Sequence, residues 1–265
     1  MNYSPKPGQT VRLSDYDPDD DGGLDKESAA LEVEKLKTRM AELQEMLYAQ
    51  SEQALLVILQ ALDTGGKDGT IKKVFSGVTP LGVRVVSFKA PSAEELAHDF
   101  LWRVHRQVPP KGLIGVFNRS HYEDVLIVRV NQLVPESVWR RRYEQINAFE
   151  HLLAQNGTRI LKFYLHISKA EQKQRLEERL VRPDKQWKFS VGDLPVRAKW
   201  DDYRHAYEDA ITFCNTVEAP WYVVPANRKW YRDWVITKTI VNTLESMNLS
   251  YPKPEAGLDR IVIPD

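Results

Sequence analysis

The chain has 265 residues, 42% of them hydrophobic and 28% charged, with 37 Lys and Arg against 37 Asp and Glu. That is room for one large α/β domain or two small ones, with the composition of an ordinary globular protein. There is no apolar run long enough to span a bilayer, no secretory leader, and a single cysteine, Cys214. A membrane protein, a secreted protein and a disulfide scaffold are therefore not expected, and a cytoplasmic setting is.

The neutral total hides an asymmetry. Residues 1–50 carry 6 basic and 11 acidic side chains, and residues 51–265 carry 31 and 26. Within 100–142 the count is 8 basic against 3 acidic. A basic middle suggests a polyanionic ligand, although a charged helix face has the same composition.

In chain order, residues 1–26, with "DYDPDDDGGLD", are acidic and turn-rich and predict an extended or partly disordered lead-in. Residues 27–50 predict a helix whose Leu36, Met40, Leu43 and Leu47 form one stripe, for docking on the main domain or on another subunit. Short apolar runs at 54–61, 83–88, 112–117, 159–166 and 221–224 predict strands. Helical stretches lie near 70–77, 92–106, 135–155, 169–181, 197–217 and 229–247. Buried strands alternating with helices imply a parallel sheet covered on both faces, with ligands beyond the C-terminal strand ends. One domain over 27–250 is expected, with a tail at 251–265. The segment 182–195, "RPDKQWKFSVGDLP", breaks the pattern between two helices and has the position of a lid, counted over about 175–195.

The first strand runs into "LLVILQALDTGGKDGT", residues 55–70. This has the parts of a phosphate loop (Walker A): a strand that stops, Gly65, Gly66 and Gly69 for unusual backbone angles, a helix N-terminus, and Lys67 to reach phosphate oxygens. The usual G-x-x-x-x-G-K-[ST] pattern is broken twice, by Ala61 at the first glycine and Asp68 at the magnesium-binding hydroxyl. Asp63, a hard oxygen donor on the loop's leading edge, can restore the metal ligand, and Thr70 offers a hydroxyl from the first helical turn. Helix capping is the rival role for Asp68 and, less easily, for Asp63.

The strand 112–117 leads into "NRSHYEDV", residues 118–125, where Arg119 can neutralise phosphate and Glu123 and Asp124 follow one turn later. For Glu123, a capping box with Ser120 competes evenly with a functional role. Arg175, Arg179 and Arg182 fall at i, i+4 and i+7, on one helix face suited to gripping a phosphoryl group, with surface ion pairing as the bland reading.

Together "LDTGGKDGT", "NRSHYEDV", "RPDKQWKFS" and "APWYVVPANRKW" resemble the type 2 polyphosphate kinases, and "SAEELAHDFLWRVH" and "DYDPDD" resemble the class III branch. The match runs from about residue 12 to about residue 252. It implies a P-loop kinase three-layer α/β/α sandwich with a parallel five-stranded sheet and a helical lid. The implied reaction is reversible, Mg²⁺-dependent phosphoryl transfer between inorganic polyphosphate and AMP, ADP and ATP, with Mn²⁺ a candidate substitute. An ATP-dependent nucleoside monophosphate kinase is the alternative, and a non-catalytic polyanion sensor using 100–142 a third. The implied catalytic set is Asp63, Lys67, Arg119 and Arg179. Phosphate contacts fall on Gly65, Gly66, Lys67, Asp68, Gly69, Thr70, Arg182, Lys185 and Lys188. Nucleotide contacts fall on Asn118, Arg119 and Glu123, and metal contacts on Asp63 and Asp124. Relatives often carry Ala at the position of Gly65, so this glycine is expected only to loosen the turn. A homo-oligomer, dimer or tetramer, is expected, with neither nucleic acid nor membrane as partner.

Overall fold

The computed structural model describes residues 3–264. Strands β1 (Ala54–Gln60), β2 (Val83–Ser87), β3 (Ile114–Asn118), β4 (Thr158–His166) and β5 (Trp221–Pro225) form one parallel sheet in the order β2-β3-β1-β4-β5. β1 is central and buried at every position, which is why its sequence is a continuous apolar run rather than an alternating one. Leu55–Leu59 pair with Ile114–Asn118 on one side, and Ala54–Gln60 with Thr158–Tyr164 on the other. This register sets the C-terminal ends of β1 and β3 side by side.

Helices α1 (Lys26–Gln50), α2 (Lys67–Val74), α3 (Ala93–Leu96), α4 (Trp102–His105), α5 (Ile127–Val130) and α6 (Glu136–Gln155) occupy the first half. Helices α7 (Lys169–Val181), α8 (Pro183–Gln186), α9 (Asp193–Ala198), α10 (Trp200–Phe213) and α11 (Lys229–Ser246) follow. The stretch 92–106, expected as one helix, is two single turns, because the Asp99 carboxylate accepts from the backbone of Leu101 and Trp102 and starts a new helix there. α1 opens on Asp25, which caps Glu27 and Ser28. Its buried Met40, Leu43 and Leu47 join the core shared with Ile236, Ile240 and Leu244 of α11. The stripe is therefore taken up within the chain.

The acidic lead-in, expected as extended or partly disordered, lies fastened across α10 and the edge of the sheet. Val11 and Leu13 are buried, and their amides donate to Thr212 and Glu208. The Tyr3 carbonyl accepts from Val223, and the Pro18 carbonyl from Asn227. Acidic composition alone did not reveal the two apolar anchors that offset the ordering entropy. Among the described residues no helix is long and apolar enough to cross a membrane.

Candidate active site

The loop after β1 turns through Thr64 at φ 62° and Gly66 at φ 99° into α2. Gly66 is required by that angle, which L side chains rarely adopt, and a Cβ there would also displace the Arg232 guanidinium, 2.3 Å away. Gly65 does more than loosen the turn, because a Cβ would lie 2.4 Å from that of Ala61. Lys67 opens α2 and folds back so that its Nζ donates to the Ala61 carbonyl at 2.9 Å. Burial, and then the neighbouring Arg119 charge, lower its pKa to about 8, against the opposing pull of Asp63 and Glu123. Thr70, expected at the phosphates, is fully buried and donates to the Gly66 carbonyl at 3.1 Å. It closes the helix instead of facing a ligand.

The end of β3 meets this loop directly. The Arg119 amide donates to the Leu59 carbonyl at 3.0 Å, and Arg119 itself adopts a left-handed φ of 64°. Its guanidinium donates to Asp63 at 2.6 Å and lies 3.5 Å from Glu123. Burial lowers the Arg119 pKa, but the carboxylates of Glu123 and Asp63 outweigh it and hold the charge firmly. Asn118 donates to Asp68 at 2.7 Å, joining β3 to the first turn of α2. Ser120 accepts from the Tyr122 amide and forms no capping box with Glu123, which pairs with Arg119 and does not line the cavity where a nucleotide contact was expected.

Asp124 is a correction. Expected as a metal ligand, it pairs with Arg142 at 3.0 Å and does not line the cavity. The turn His121–Val125 separates neighbouring side chains, so Glu123 and Asp124 point to different surroundings. Burial raises the Asp124 pKa, with Arg142 pulling the other way.

The three arginines of α7 part company. Arg175 is buried, donating to Glu171 and to the carbonyls of Thr64, Gly65, Ala226 and Asn227, so it braces the loop at the cavity's edge. Arg179 faces the cavity, donating to the Lys188 carbonyl at 2.9 Å and lying 3.5 Å from Asp193. Arg182 is turned outward onto Asp184 and Glu178, and it does not reach the cavity in this conformation. Lys185 and Lys188 do.

These elements enclose a cavity of about 640 Å³ over the C-terminal ends of β1 and β3. Nine basic side chains line it against four acidic ones. Five of the nine, Lys67, Arg119, Arg179, Lys185 and Lys188, were legible as site candidates. Lys89, Lys229 and Arg232 were missed and Arg175 was given a different task. Lys229 falls within "APWYVVPANRKW" and Arg232 two residues past it, both in the first turn of α11, and their position after a strand end was the available signal. The basic stretch 100–142 contributes only Arg119; Arg129, Arg140 and Arg142 are held by Asp209, Glu136 and Asp124.

Among the described residues no group of three or more His, Cys, Asp or Glu is disposed to hold a metal ion. The donor set does fit a hard divalent cation that arrives with phosphates. Asp63 offers one carboxylate on the cavity wall, and such ions complete their shells with phosphate oxygens and water.

Residues 23–252 match the family model described as Polyphosphate kinase 2 (PPK2). A protein from Meiothermus ruber named AMP/ADP-polyphosphate phosphotransferase is 54% identical over 263 residues, 98% of each chain. One from Rhodopseudomonas palustris named ADP-polyphosphate phosphotransferase is 48% identical, covering 81% of this chain and 78% of its own. The crystal structure of Polyphosphate Kinase 2 from Arthrobacter aurescens TC1 superposes with a TM-score of 0.92 at 42% identity, covering 97% of this chain and 95% of that one. With the loop, the strand-end arginine and the α7–α9 segment assembled on one parallel sheet, the chain belongs to the polyphosphate kinase 2 family.

Proposed function

We propose that this protein transfers phosphoryl groups reversibly between inorganic polyphosphate and AMP or ADP, giving ADP and ATP. The observation that carries this reading is the cavity, with nine cations against four carboxylates and Asp68 in place of the hydroxyl that ATP-binding loops use for magnesium. A polymer with a charge on every phosphate needs such a surplus. The cytoplasmic setting, the homo-oligomer and the lack of nucleic-acid or membrane partners belong to the same proposal.

On this reading Lys67, the loop amides and the lid cations hold the polymer's terminal phosphates, while Asn118 and Arg119 hold the acceptor's last phosphate. Glu123 keeps Arg119 in place when a phosphate draws it from Asp63. Mg²⁺, or Mn²⁺ in its place, would be held by Asp63 and substrate oxygens and would neutralise charge on the transferring group. The acceptor oxygen is already anionic, so no general base is needed. Catalysis is in-line positioning and electrostatic stabilisation of the equatorial oxygens.

The direct test supplies AMP or ADP with polyphosphate and Mg²⁺ in the absence of ATP. Formation of ADP or ATP is expected. Product that appears only when ATP is added would make this an ATP-dependent nucleoside monophosphate kinase instead.

The depressed Lys67 pKa adds a pH prediction. The cation is the binding form, so kcat/KM for polyphosphate should fall as pH rises through about 8, where the free protein loses that proton. At saturation the bound phosphates hold the proton, and kcat should stay level to higher pH. A kcat/KM that stayed flat to about pH 10, where an ordinary lysine titrates, would take this ammonium out of polymer binding.

A further inference from the structure

Behind the Arg119 turn lies a charged network fully sealed from water. Lys162 of β4 is 0% exposed, and its Nζ donates to Glu150 at 2.5 Å, the Cys214 carbonyl at 2.6 Å and the Tyr122 hydroxyl at 2.8 Å. Three donors meet three acceptors, so the ammonium is fully satisfied. Glu150 of α6 in turn accepts the Tyr122 hydroxyl at 2.9 Å, and its same oxygen lies 3.2 Å from His121 Nε2. The cluster reaches the Arg119 turn through His121 and Tyr122, two and three residues downstream of Arg119, and lines no part of the cavity.

Stability alone does not account for it. A buried ion pair is commonly replaceable by apolar side chains of similar volume without loss, since desolvation offsets much of the attraction. What a fully satisfied network supplies is fixed geometry. That matters here because Arg119 holds a left-handed backbone angle that non-glycine residues rarely adopt. The turn's start is tied to Leu59 and to Gln60 through Ser120, its end to Arg142 through Asp124, and its middle, His121 and Tyr122, is tied to Glu150 and Lys162.

We propose that Tyr122, Glu150 and Lys162 are positioning residues for phosphoryl transfer, clasping the 119–123 turn so that Arg119 holds the acceptor's phosphate in line with the transferring group. The inference rests on the phosphotransferase reading above.

The test is a double-mutant cycle on the full chain, with steady-state kinetics on AMP, polyphosphate and Mg²⁺ and a parallel thermal melt. Tyr122→Phe removes one hydroxyl and keeps the ring. It is expected to lower kcat about tenfold, the order a slightly displaced catalytic group costs, with KM for polyphosphate changed by less than about twofold. In the Arg119→Lys background the same substitution should change kcat by less than about twofold, because the group being positioned is already lost. An equal factor in both backgrounds, or a lowered melting temperature with kcat untouched, would overturn the proposal. Should Tyr122→Phe fail to fold, His121→Asn, which alters the other arm of the clasp, enters the same cycle with the same expected outcomes. Inactivity of the unaltered protein with polyphosphate would instead refute the functional reading, so the two failures are distinct.

Discussion

Asp63→Asn is expected to lower polyphosphate-driven turnover by about 10³-fold, the several kcal/mol that an ion's charge stabilisation contributes to a transition state. The substitution preserves shape and removes one negative charge at the edge of the loop. Asp63 is a carboxylate on the cavity wall, and the loop's usual hydroxyl ligand is replaced by Asp68, which is engaged by Asn118. The variant should also need more Mg²⁺ to reach half-maximal rate. Its fold should survive, because Asp63 is partly exposed and Arg119 keeps Glu123 as a partner. Magnesium titrations of kcat for both proteins check this, and an unchanged magnesium requirement would move the ion to another ligand.

Arg179→Ala is expected to reduce kcat by about 10³-fold, at the low end of what an arginine supplied to a transferring phosphoryl group is worth. KM for polyphosphate should move far less, since the guanidinium is needed most when charge spreads onto the equatorial oxygens. Among the α7 arginines it is the one suited to this. Arg175 is committed to loop carbonyls and Arg182 to Glu178 and Asp184, whereas Arg179 faces the cavity with a backbone carbonyl and a 3.5 Å carboxylate as partners. Arg179→Lys should recover part of the rate, because it restores charge without the planar fork. Single-turnover rates for the three proteins decide it, and a near-normal rate for Arg179→Ala would remove this side chain from the transition state.

The contrast among those arginines shows why a helix face is an incomplete guide. Spacing placed Arg175, Arg179 and Arg182 together. Burial then assigned one to the loop, one to the cavity and one to solvent, according to what each met across the gap. Thr70 and Asp124 failed as candidates for a related reason: each found a partner nearer than any ligand, the Gly66 carbonyl for one and Arg142 for the other. The surplus of positive charge at 100–142 also misdirects. Most of it is neutralised within the chain, and the cavity draws its cations from residues 67 to 232.

By itself the sequence determined the strands and the loop. Apolar periodicity and glycine placement are local properties, and each segment's burial follows from a few neighbouring residues. The tertiary structure decided which charges meet. Residues 63 and 119 become partners only because the sheet runs β2-β3-β1-β4-β5 and seats β3 beside β1. Lys162 and Glu150 read as an unremarkable strand lysine and helix glutamate until packing seals both from water. Coulomb interactions and desolvation depend on distance and burial in three dimensions, and no spacing along the chain encodes either.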